Sequence, residues 1–234
     1  MIRIGNFFFT HRNWVFPLVI ALVFVDQPPA LANEGLAVTI GFALAILGQS
    51  IRAITIGLAY IKRGGKNKKV YAKTLVQDGV FAHCRNPLYV GNFLMLLGLG
   101  FIANSLWFLA IGMPFFIFAY AAIIAAEESF LRKTFGGEFD DYCRRVPRLI
   151  PNLRGFGSTW RAMQFHWRRL IVKEHNSTFL WLVIAVVVLM QDRWDYTHDW
   201  TEPGMYAFVG ALVVLVLCYL TVRVLKKSRT LVAD

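Results

Sequence analysis

Two short stretches hold the residues best suited to chemistry. "HCRNPLYVGN" (83–92) places His83, Arg85, Asn86, Tyr89 and Asn92 within ten positions, and "EESFLRK" opens on the twin acids Glu127 and Glu128. "YCRRVPR" follows with Tyr142 and Arg145. Guanidinium groups grip anions through forked hydrogen bonds. Carboxylates accept from ammonium and hydroxyl groups, and an imidazole or a second carboxylate can take a proton. The candidate roles are therefore anion holding by Arg85 or Arg145, ligand binding by Glu127, and proton acceptance by His83 or Glu128.

The twin acids differ in their expected neighbours. Glu128 has Arg132 four residues on, a favourable helical pair, whereas Glu127 has Leu131. Unpaired charge near a membrane boundary is costly, so Glu127 is the stronger functional candidate. Cys84, Cys143 and Cys218 are far apart, with no C-x-x-C and no His/Cys cluster, which argues against a disulfide and a structural zinc. Cys84 beside Arg85 is either a low-pKa thiol or a small packing residue, and packing is the expectation.

These residues lie in a greasy chain. Hydrophobic residues make up 57% and charged ones 17%, and the mean hydropathy is +0.51. That composition predicts an all-α, polytopic transmembrane helical bundle. Spanning helices need roughly 20 apolar residues. About six spans are expected, at 14–25, 35–61, 88–104, 106–126, 177–191 and 204–224, the first and fifth short. Short helices on the cytoplasmic side complete the fold. A signal-peptide reading of 1–32 exists, with Ala30-Leu31-Ala32 as cleavage site, but a retained first helix is favoured.

The net charge of +11 is unevenly spread. Basic residues gather before the first span, at 62–85, at 132–173 and at 223–229, while the loop 26–34 has none and the loop 192–203 has only Arg193. This matches the positive-inside rule with both termini cytoplasmic, as in a bacterial inner membrane. The charge thus reflects topology and contact with anionic lipid headgroups rather than nucleic acid. Arg52 is the one charge expected deep in a span, either neutralising a glutamate of the twin pair or snorkelling to water.

Organisation follows from these elements. Residues 1–157 form the expected membrane core, and 158–234 an appended basic segment with a second hairpin. "KRGGKNKKVYAK" is expected to be a loop, and 160–176 an interfacial helix or a basic linker. The fourth span should run on through "EESFLRKTF" until Gly136-Gly137 stops it, and a short helix should follow until Pro147. Spans three and four are antiparallel, so 83–92 and 127–145 should meet at one membrane face. A ligand bearing a carboxylate, an ammonium and hydroxyls suits that mixture, and S-adenosylmethionine is such a molecule. Its methyl transfer is an in-line displacement that needs alignment and exclusion of water.

"LVQDGVFAHCRNPLYVGNFLMLLGLG" (75–100) followed by "EESFLRKTFGGEFDDYCRRVPRLIP" (127–151) resembles the isoprenylcysteine carboxyl methyltransferase and phospholipid N-methyltransferase superfamily. The resemblance implies an integral membrane methyltransferase that uses S-adenosylmethionine in a cytoplasmic pocket and takes a lipophilic substrate from the bilayer. It implies cofactor contacts around Val76, Phe81, Asn86, Leu88 and Tyr89, with Glu127 as the acidic contact. The phospholipid branch would add Gly98 and Gly100, whose rival role is close helix packing. Three departures stand out. Asn86 replaces the usual His, Gly79-Val80-Phe81 replaces Gly-Pro-Tyr, and Ile123 stands where the prenylcysteine enzymes carry a substrate-binding Arg. A lipid amine is the favoured acceptor, with a prenylated carboxylate or a small thiol as alternative, and a non-catalytic scaffold or transporter as the competing class.

Overall fold

A computed structural model describes residues 1–58, 63–66, 69–72 and 74–232. Eight α-helices are described: α1 (Ile2–Ile20), α2 (Glu34–Leu58), α3 (Pro87–Ile102), α4 (Met113–Phe135), α5 (Gly137–Arg145), α6 (Phe156–Ala162), α7 (Trp167–Thr197) and α8 (Pro203–Lys227). Among the described residues, five apolar stretches are long enough to cross a bilayer: Ile2–Phe24, Glu34–Leu58, Phe108–Phe135, Trp167–Thr197 and Pro203–Lys227. The sixth, α3, has 16 residues. The protein is an all-α polytopic bundle, an integral membrane protein.

Both short expected spans grow at their basic ends. The first begins at Ile2, because Arg3 and Arg12 are good helix formers that need not end a helix. Arg12 therefore lies inside a span, and Arg52 is not the one deep charge. Pro17 removes a backbone donor late in α1, and the chain tightens into a 3₁₀ turn over Ala21–Phe24. The fifth span begins at Trp167, so 160–176 is not one interfacial helix. Instead α6 ends at Ala162, and Phe165 packs where a side chain on Gly57 would stand. The expected loop after α2 holds a small antiparallel ribbon, β1 (Arg63–Lys66) with β2 (Lys69–Ala72), Arg63 opposite Ala72.

α2 and α3 form the closest seam. Gly41, Ala45 and Gly48 recur on one face of α2, and Gly91 and Gly98 on α3. A Cβ on Gly48 would stand 2.5 Å from the Gly91 carbonyl oxygen, and one on Gly98 2.6 Å from that of Gly41. Small residues bring the two backbones together, where packing rather than hydrophobicity drives association. α1 packs on α4 through Gly5 against Ala122 and through Phe8 and Phe16 against Phe115. α7 packs on α2 and α3, and α8 packs on α7.

The end away from the basic loops is stitched by polar side chains. Asn104, at φ 44°, accepts from Leu31 N–H and donates to the Leu31 carbonyl, each at 2.8 Å. Gln27 accepts from Trp107 N–H at 2.6 Å. A π-turn over Phe108–Gly112 then leads into α4, where Pro114 lacks the donor a regular turn would use. Arg193, the lone basic residue of that end, pairs with Glu202.

Candidate active site

Two segments at the basic end run side by side. Arg85 N–H donates to the Pro147 carbonyl and Asn152 N–H to the His83 carbonyl, both at 2.9 Å. Tyr142 donates its hydroxyl to the Phe81 carbonyl at 2.8 Å. The segment 147–152 thus wraps over 81–86, and α5 anchors it by burying Phe139 and Tyr142 against Leu131 and Val146. Gly79, at φ 64°, makes the turn into this segment, a conformation that favours glycine. Asn86 precedes α3, Pro87 opens it, and the Asn86 amide donates to the Arg148 carbonyl at 3.1 Å.

The twin acids part ways. α4 runs on to Phe135, and Gly136 ends it at φ 54°, which carries both carboxylates to the wrapped segment. Glu127 accepts from the Tyr89 hydroxyl at 3.0 Å. Glu128 meets Arg85 at 3.2 Å and takes a forked pair from Arg148 at 3.1 and 2.8 Å. Arg132, the expected helical partner of Glu128, binds Asp140 instead at 2.7 Å. Sequence reasoning passed over Arg148, although "RVPR" places a second cation one turn past Arg145.

A cavity of about 630 Å³ opens between α1, α2, α3, α4 and α7. Of the expected ligand contacts, Phe81, Asn86, Leu88, Tyr89 and Glu127 line it. The others lie elsewhere. Val76 is half-buried and outside the lining. Gly98 faces α2, a side chain on Gly100 would meet Phe108 and Leu109, and neither glycine lines the cavity. Arg145 is exposed and donates to Gln77 at 2.9 Å. Arg85 and Glu128 form the clasp behind the cavity wall. His83 is buried, with Nδ1 2.7 Å from the Asn152 carbonyl and Nε2 2.9 Å from the Thr159 hydroxyl. Both ring nitrogens are engaged, and His83 lies outside the cavity lining.

Cys84 resolves as packing. Its thiol donates to the Leu149 carbonyl at 3.3 Å, and burial pushes its pKa up despite neighbouring Arg85. Cys143, half-buried against Arg85, is also raised, chiefly by desolvation.

The deeper wall was less visible in the sequence. Arg12, Asn13, Arg52, Asn92, Tyr120 and Ser177 supply its polar groups. Arg52 does not reach the twin acids. It donates through Nε and Nη2 to Glu174 of α7 at 2.8 and 2.6 Å, through Nη1 to Asn92, and through Nη2 to Ser177 at 3.3 Å. Gly91 gives the room, since a Cβ there would stand 2.6 Å from Arg52 Cγ. Glu174 is the single acid between 158 and 191. That count, set beside a buried arginine in need of a partner, was the available signal.

The comparisons agree with this architecture. The profile of a family described as phospholipid methyltransferase matches residues 36–138, from early α2 to the start of α5. The chain is similar to the cobalt-zinc-cadmium resistance protein CzcN of Cupriavidus metallidurans, 31% identical across 84% of this chain and 87% of that one. It is 43% identical to the nickel-cobalt-cadmium resistance protein NccN of Alcaligenes xylosoxydans xylosoxydans, across 36% of this chain and 39% of that one. It is 32% identical to the protein-S-isoprenylcysteine O-methyltransferase of Schizosaccharomyces pombe, spanning 45% of each chain, so less than half of that enzyme is matched. No solved structure matches. A core matched from early α2 to the start of α5, and relatives that include an isoprenylcysteine O-methyltransferase and a protein aligned along most of its length, place this chain in the isoprenylcysteine and phospholipid methyltransferase superfamily of integral membrane methyltransferases.

Proposed function

We propose that the protein transfers a methyl group from S-adenosylmethionine to a lipophilic acceptor at the cytoplasmic face of a bacterial inner membrane, a lipid amine being the favoured acceptor. The observation that carries this reading is the Tyr89–Glu127 contact on the wall of a cavity that also takes in Phe81 and Asn86. The volume of about 630 Å³ suits a nucleoside ligand and part of an apolar chain. The basic end of the bundle would face the cytoplasm by the charge asymmetry.

The residues fit the cofactor. Glu127 would accept hydrogen bonds from its ribose or ammonium, with the carboxylate oriented by Tyr89. The faces of Phe81 and Tyr89 would attract a positive sulfonium. When bound, the cofactor supplies a methyl group on an electrophilic sulfur. The protein's share would be alignment and dryness, and Phe9, Met95, Leu96 and Leu99 give the cavity an apolar lining suited to excluding water. An amine acceptor must shed a proton, and among the described residues Glu127 is the one carboxylate lining the cavity.

A second reading has its own support. Ile123 removes the cation expected beside Glu127, yet Arg12 and Arg52 line the same cavity. A carboxylate acceptor, such as the isoprenylcysteine named in several relatives, could be held from those helices instead.

Calorimetric titration of the detergent-solubilised protein with S-adenosylhomocysteine tests the proposal. Saturable binding is expected. Glu127→Ala should weaken it about tenfold to a hundredfold, the worth of a hydrogen bond to a charged group. No saturable binding to the wild type would overturn the reading. Labelled cofactor with host lipid extract then separates amine from carboxylate products, because methyl esters are cleaved by mild base and methylamines are not.

A further inference from the structure

The cavity has a wall from outside the family-matched region. The match ends at residue 138, and α7 begins at Trp167. Yet Ser177, Leu180, Trp181 and Ile184, all on α7, line the cavity. The last three stand three, four and seven residues after Ser177, which is the spacing of one helix face.

One carboxylate fixes this wall. Glu174 is 2% exposed and holds Arg52 with two of its donors. Gln49 donates to the same carboxylate at 3.4 Å and accepts from Trp181 Nε1 at 3.1 Å. A single network therefore runs from Arg52, through Glu174 and Gln49, to the indole of Trp181. A buried charge stripped of its partner must move or find another. Loss of Glu174 would release Arg52 and unpin Trp181 together.

We propose that Glu174 is a positioning residue that makes α7 the specificity wall of the cavity, fixing Arg52 at its polar end and Trp181, Leu180 and Ile184 against the apolar chain of the bound amphiphile. This rests on the methyl-transfer reading only in identifying that amphiphile with the acceptor. The chain length admitted is then set by α7, a helix outside the matched core.

The test uses the full chain in non-brominated detergent, with 12-bromododecanoate and 6-bromohexanoate as probes and tryptophan fluorescence as readout, since bromine quenches an indole it touches. Subtracting Trp181→Phe isolates the Trp181 signal. A saturable Trp181 component is expected with the long probe. Glu174→Gln should raise its half-saturation about tenfold, and Glu174→Asp should restore it to within about threefold. Ile184→Phe leaves the ion pair intact and should cost the long probe about tenfold while sparing the short one. S-adenosylhomocysteine titrated in parallel should bind every variant within about twofold of wild type, so a failure of the cofactor reading registers separately. Identical quenching in wild type and Trp181→Phe would overturn the proposal. So would long-probe affinity unchanged in both Glu174→Gln and Ile184→Phe.

Discussion

Neighbouring glutamates at 127 and 128 have separate partners, and single amide substitutions should separate their effects. Glu128 ties Arg85 and Arg148 across the wrapped segment. Glu128→Gln is expected to cost about 1–3 kcal/mol of stability, read as a lower midpoint of thermal unfolding, while S-adenosylhomocysteine still binds. Glu127→Gln should do the reverse. Cys84 gives a third residue-scale expectation. Burial raises its pKa, so the neutral thiol persists at and above the pH where an ordinary cysteine ionises. Alkylation of Cys84 should stay slow at pH 8.5 in the folded protein and become fast only on unfolding, as mass spectrometry of the modified peptide would record. The meeting of Tyr89 with Glu127 was legible in the sequence, because antiparallel neighbours bring a helix start beside a helix end. The fate of His83 was not. Its partners, Asn152 and Thr159, lie some seventy positions away in segments without periodicity.

Helices α2 and α3 are held by close backbone approach, and that seam also sets the position of Arg52. Gly91 faces both the Gly48 carbonyl oxygen and the Arg52 stem. Gly91→Val should therefore act twice. It should overpack the seam, costing about 1–3 kcal/mol, and push Arg52 off Asn92. The expected signature is a lowered unfolding midpoint together with weakened 12-bromododecanoate binding. Helix existence was readable from apolar runs, and the stop at Gly136 from its place after the last periodic residue. Helix starts were less readable. Arg12 and Lys173 look like loop residues by hydropathy, yet α1 and α7 carry both inside continuous helices. A long basic side chain can keep its stem in the helix face and send its head elsewhere, so charge alone does not mark a boundary.

Taken as a whole, the bundle joins a profile-matched core to helices that flank it. α2 to α5 hold the twin acids, the Asn-Pro turn and the glycine seam. α1 and α7 complete the cavity from either flank, and they pack on different supports, α1 on α4 and α7 on α2 and α3. The two flanks meet at one end, where Gln191 of α7 donates to the Phe24 carbonyl at 3.3 Å, and otherwise rest on those separate scaffolds. Under the proposed function, a molecule dissolved in the bilayer would use the space between those flanks as a side door, sliding in edgewise with its head toward Glu127 and its tail never meeting water. A thiol-reactive staple joining Pro17→Cys to Ile184→Cys should bolt that door, stopping turnover of membrane-borne acceptors while the nucleoside still enters from the basic end.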